Sequence, residues 1–151
     1  MKVRSFTYRY ALIIFIAFVA FFFILKLLGW EKITELRLLN LVIAAYFSNK
    51  LAKKNISILK KEYLDNFASI LFSNLIAVFL CAISLFLYVT WWNTSLIYSI
   101  GNGFFLGKDL SLAEVCIAIT IEGAASSIII ALIVMQYWKN VKYSRRKKYH
   151  I

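Results

Sequence analysis

Four stretches of this chain are long and apolar, and together they take up well over half of it: Tyr10–Leu28, Ile33–Ser48, Phe67–Trp92 and Leu112–Trp138. A helix that crosses a bilayer needs about 20 mostly apolar residues, and three of the four reach that length comfortably. Only helices and closed barrels satisfy every backbone polar group inside hydrocarbon, so runs of this length demand helices. The sequence therefore predicts an all-α integral membrane bundle of four transmembrane helices in one domain. With 62% hydrophobic residues and a mean hydropathy of +0.76, the 151-residue chain is too apolar for a soluble domain of its size. It contains no proline and only five glycines, which argues for continuous spans rather than the broken helices of many transporters.

The net charge of +11 reads as a topology signal, and nucleic acid is not expected as a partner. Fourteen of the eighteen Lys and Arg residues lie before the first stretch, between the second and third, or after the fourth. The other four, Lys26, Lys32, Arg37 and Lys108, lie on the opposite side. The positive-inside rule then places both termini in the cytoplasm. Lys2, Arg4 and Arg9 precede a run that is too long for a secretory leader and lacks a small-x-small cleavage site, so a retained helix is expected. The tail Arg145-Arg146-Lys147-Lys148 is expected to meet anionic headgroups, at about 1 kcal/mol per basic residue.

The connections differ in character. Gly29-Trp30-Glu31-Lys32 is short enough to make the first two helices an antiparallel hairpin. The second stretch opens with Glu35, Arg37 and Asn40, so the other helices should shield it from lipid. In Asn49–Asn66, apolar Leu51, Ile58, Leu59 and Tyr63 are interspersed with lysines, a pattern shared by a basic surface helix and an ordinary loop; both readings stay open. The connection Asn93–Ser111 carries three glycines around Phe104 and Phe105 and is expected to rest against the membrane, with a re-entrant segment as the alternative.

The most unusual residue is Glu122. It lies about 15 Å along the fourth stretch, counted from Leu112 at 1.5 Å per residue. An ionisable group at such depth is expensive and faces the bundle interior or a wet cavity, so it needs a partner or a proton. Arg37 is the expected partner, with Asn40 one turn on as a hydrogen-bonding neighbour. The functional alternative makes Glu122 a proton or cation site. Beside it, Gly123, Ser127 and Ala131 form a small-xxx-small stripe that lets another backbone approach. That backbone belongs either to the same chain or to a partner, a second membrane protein or a second copy.

Catalysis finds little support. The only histidine, His150, is in the charged tail, and no cluster suits a metal or a nucleophilic site. No cofactor is implied. Cys81 lies mid-span and Cys116 near the outer start of the fourth stretch, so their depths are expected to differ by several turns, which argues against a disulfide.

The order Leu36-Arg37-Leu38-Leu39-Asn40, then Ile121-Glu122-Gly123-Ala124-Ala125-Ser126-Ser127, then Val134-Met135-Gln136-Tyr137-Trp138-Lys139 resembles small four-helix membrane proteins of unknown function common in Bacteroidetes bacteria. The resemblance implies a multi-pass protein of the bacterial inner membrane and carries over no catalytic residue. Two functions are weighed: a non-enzymatic accessory or scaffold subunit of a membrane complex, and a small proton-coupled transporter or channel that uses Glu122.

Overall fold

The computed structural model of the chain describes residues 2–30, 36, 38–57, 62–91 and 111–147. Four helices account for nearly all of them: α1 (Lys2–Leu27), α2 (Leu39–Ser57), α3 (Tyr63–Trp91) and α4 (Leu112–Lys147). Three contain segments long and apolar enough to cross a membrane: Phe6–Leu27 of α1, Tyr63–Trp91 of α3 and Leu112–Lys139 of α4.

The helix ends follow local chemistry. α1 stops at a Schellman motif, in which Gly29 takes φ 71°. Its N–H donates to the Lys26 carbonyl at 3.1 Å, and that of Trp30 donates to the Leu25 carbonyl at 2.9 Å. α4 opens on a capping box. The Glu114 carboxylate accepts from the Ser111 backbone N–H at 2.7 Å, and the Glu114 N–H donates to Ser111 Oγ at 3.4 Å.

Three of the expected spans match the membrane-crossing segments to within four residues, although α1 and α4 themselves run further at the lysine-rich end, and the second does not match. α2 begins at Leu39 and continues to Ser57, past the polar break at Asn49-Lys50. With Lys50, Lys53 and Lys54 in its second half, it is not among the helices apolar enough to span. This corrects the expected fourth transmembrane helix: the described residues are all-α, with four helices of which three qualify. Among the described residues no separate surface helix lies between α2 and α3. The described parts of the lysine-rich segment belong to the second half of α2 and the first turn of α3, and their Leu51, Ala52, Asn55 and Asn66 are buried against the bundle; residues 58–61 lie outside the described residues. The connection 93–110, with its suspected re-entrant segment, lies outside the described residues.

Side-chain contacts fix the directions of the helices. Thr7 meets Ser69 and Lys26 meets Tyr88, so α1 and α3 run parallel with one register at both ends. Ser48 meets Asn74 and Asn55 meets Asn66, which makes α2 antiparallel to α3. Ala82 meets Cys116, so α4 is antiparallel to α3 as well. The result is an up-down-up-down bundle. α3 packs on all three other helices, and α1 and α4 sit diagonally across from each other.

Two apolar clusters hold the bundle. The larger lies at the lysine-rich end and joins Leu51 and Ala52 of α2, Ile70 of α3 and Ala131, Val134 and Met135 of α4. The smaller, around Val89 and Val115, lies at the other end. Leu12, Ile16, Phe72, Phe79, Ile121, Ile129 and Ile133 point outward and are exposed. An outer face this apolar is what a lipid solvent permits and water does not.

Candidate functional site

Between the two clusters the helices enclose a cavity of about 450 Å³, within the range of small-molecule sites. Phe18, Phe21 and Phe22 of α1, Leu41 and Ala44 of α2, Val78 and Leu85 of α3, and Ile119 and Ile130 of α4 give it an apolar wall. Polar groups interrupt that wall: Asn40, Asn74, Ser84, Tyr88, Glu122, Ser126 and Ser127. The cavity opens to the surface of the bundle, because exposed residues Phe23, Leu38, Leu41 and Glu122 are part of its lining.

Glu122 therefore projects beside a cavity and is not sealed between helices. No described residue forms a hydrogen bond or an ion pair with it. Arg37, its expected partner, lies outside the described residues. Asn40 lines the same cavity, and its buried Oδ1 has no hydrogen-bond partner among the described residues. At the far end of the cavity, Tyr88 stacks edge-on against Phe22 with ring centroids 6.1 Å apart and accepts a hydrogen bond from Lys26 Nζ.

The small-residue stripe is occupied within the chain. A Cβ placed on Gly123 would sit 2.5 Å from Val78 Cγ1 and 2.8 Å from its Cγ2, so only glycine lets α4 approach α3 at this level. Ser127 is buried and donates to the Gly123 carbonyl at 2.6 Å, while Ala131 is fully buried in the larger cluster. Arg145, Arg146 and Lys147 fall in the last turns of α4 with side chains outside the description, and Lys148 lies beyond it.

One expectation about the cysteines is corrected. Cys116 Sγ lies 3.8 Å from the Ala82 carbonyl oxygen, so Cys81 and Cys116 occupy the same level of the bundle. The contact sets the start of α4 beside Ala82, nine residues before the end of α3 at Trp91, so α4 starts deeper in the bundle than the span boundaries imply. Both thiols are free, and Cys81 lines the cavity. Among the described residues no group of three or more His, Cys, Asp or Glu could hold a metal.

Reading the sequence for single oddities overlooks the polar seam between α2 and α3. Asn55 Nδ2 donates to Asn66 Oδ1 at 2.8 Å, and Asn74 Nδ2 donates to Ser48 Oγ at 2.9 Å, all four residues being buried. Its signal was available as Asn66, Ser69, Ser73 and Asn74, which share one face of an otherwise apolar helix. No protein-family model, curated protein or solved structure matches the chain.

Proposed function

We propose that this chain is a non-enzymatic multi-pass protein of a bacterial inner membrane that binds a cationic amphiphile in the Glu122 cavity and exchanges it for a proton. The observation that carries the reading is the position of Glu122 on an open, aromatic-lined cavity. A carboxylate at that depth requires a compensating charge, supplied by a bound cation or by a proton. The two bind in competition, which is the elementary requirement for coupled exchange. The phenylalanine rings suit the apolar body of such a ligand and the face-on approach of its charge. The lysine-rich end faces the cytoplasm in this reading, and membership of the four-helix Bacteroidetes group belongs to the same proposal. The other expectation, an accessory or scaffold subunit, drew in part on the small-residue stripe, and at Gly123 that stripe is met by Val78 of the same chain.

The test is binding of tetraphenylphosphonium to the purified protein in mild detergent, followed by calorimetry in buffers of different ionisation heat. Binding should release about one proton per cation. Glu122→Gln should abolish binding while shifting stability by no more than about 0.5 kcal/mol, as for a surface substitution. Undiminished binding by the Glu122→Gln protein would refute the reading.

A further inference from the structure

We propose that the seam between α2 and α3 is a hydrated lane along which protons reach Glu122 from the lysine-rich end of the bundle. The inference rests on reading Glu122 as a proton-exchanging group, and it adds the route.

The seam has the geometry of a lane. Asn66, Ser69 and Ser73 are spaced three and four residues apart, so they stack on one face of α3, and Asn74 adjoins them. Asn66 begins the line one turn from exposed Glu62. Asn74 ends it as part of the cavity wall that also carries Glu122. From Asn66 to Ser73 the rise is about 10 Å, with Thr7 and Ser69 bridging α1 and α3 between them at 3.3 Å. Along α3 the polar steps from Glu62 through Asn66 and Ser69 to Ser73 are three or four residues, a rise of about 4.5–6 Å each, and water in the cavity spans the remaining gap from Asn74 to Glu122.

The seam also has capacity to spare. Ser73 Oγ, Asn55 Oδ1 and Asn66 Nδ2 are buried and have no partner among the described residues, although Asn55 and Asn66 bond each other through their remaining atoms. Purely structural cross-links would use these groups up, since leaving a buried polar atom unsatisfied forfeits its hydration without replacement. Donors and acceptors left over in sequence are the partners that buried water requires. All of them are neutral amides or hydroxyls, so the lane offers a metal cation no counter-charge but can relay a proton along hydrogen-bonded water. The proton enters from bulk water at the lysine-rich end and is left on the Glu122 carboxylate when the organic cation departs.

The other titratable groups on the cavity are Cys81 and Tyr88 of α3, with Lys26 of α1 bonded to Tyr88 at the far end. α2 contributes Asn40 and, among the described residues, no titratable side chain to the cavity.

The experiment uses the full chain reconstituted in one orientation into phosphatidylcholine–phosphatidylglycerol vesicles. The Glu122 carboxyl infrared band, identified as the one missing in Glu122→Gln, is followed after a pH step on either side. It should respond to a step on the lysine-rich side. Ser73→Ala should slow that response about tenfold, the kinetic equivalent of one lost hydrogen bond, and Ser73→Thr should restore it. An unchanged rate in Ser73→Ala, or a response only to the opposite side, would overturn the lane while leaving the cavity reading intact. No titrating Glu122 band on either side would overturn both. A second measurement does not depend on Glu122: with Cys81 and Cys116 replaced by alanine, Ser73→Cys should react with a small aqueous thiosulfonate applied to the lysine-rich side. Complete protection from the reagent would show the seam to be dry interhelical adhesive.

Discussion

Gly123 illustrates how one missing methyl sets the spacing of two helices. Glycine in a helix interior is unfavourable by about 1 kcal/mol relative to alanine, so Gly123→Ala gains that much from the backbone alone. Against it stands the 2.5 Å approach to Val78 Cγ1. Val78 is β-branched and strongly restricted at χ1, so it cannot swing aside, and overpacking of this kind costs about 1–3 kcal/mol. The clash outweighs the propensity. Gly123→Ala should lower the thermal midpoint in detergent, and pairing it with Val78→Ala should restore much of the loss, because the two sites are in contact. Additive losses in that cycle would contradict the packing. Glu122 and Asn40 were legible in the sequence because each is a polar residue in an apolar run. The company they keep was not: Tyr88, Ser84 and Cys81 reach the same cavity from another helix, through a registration that no single segment encodes.

At the level of the helices, α1, α3 and α4 are readable from hydropathy, since each contains an unbroken apolar run of span length. α2 is not, because one criterion is applied to a helix with two environments. Its first half is apolar; its second sets Leu51, Ala52 and Asn55 against the bundle while Lys50 and Lys54 turn over aromatic rings. Lys54 Nζ lies 4.6 Å from the Phe6 ring centroid and 6.0 Å from that of Tyr10, contacts worth about 0.5–1 kcal/mol each at exposed sites. Helical hydrogen bonds carry through a change of polarity that ends a hydrophobic window. The shared register of α1 and α3 can be checked directly. In the background lacking Cys81 and Cys116, the pair Thr7→Cys and Ser69→Cys should form a disulfide on mild oxidation, since the two hydroxyls are 3.3 Å apart. Thr7→Cys with Ser73→Cys, one turn further along, should form little. Comparable yields for the two pairs would refute the registration.

For the described helices taken together, the alternation of basic segments and the antiparallel contacts specify the same arrangement: the start of α1 and the end of α4 lie on the lysine-rich side. A reporter active only in the cytoplasm should work when inserted after Lys60 or fused to the C-terminus, and should be silent after Asn102. Activity after Asn102 would mean that the hydrophilic half of α2 does not bring the chain back across. The bundle shape was thus accessible from charge and hydropathy, whereas the cavity was not. It arises because α1 and α4 face each other diagonally and the apolar clusters gather toward the two ends.

The central position of α3 bears on how the protein is made. A chain leaving the ribosome delivers α1 and α2 first, and α2 carries Ser48 and Asn55, whose partners Asn74 and Asn66 belong to α3. Until those partners emerge, α2 presents bare amide and hydroxyl groups along with three lysines, too polar to settle in lipid unaided. A nascent α1–α2 hairpin is therefore expected to leave the insertion machinery for lipid only once α3 is synthesised, so a chain truncated before Tyr63 should stay associated with that machinery.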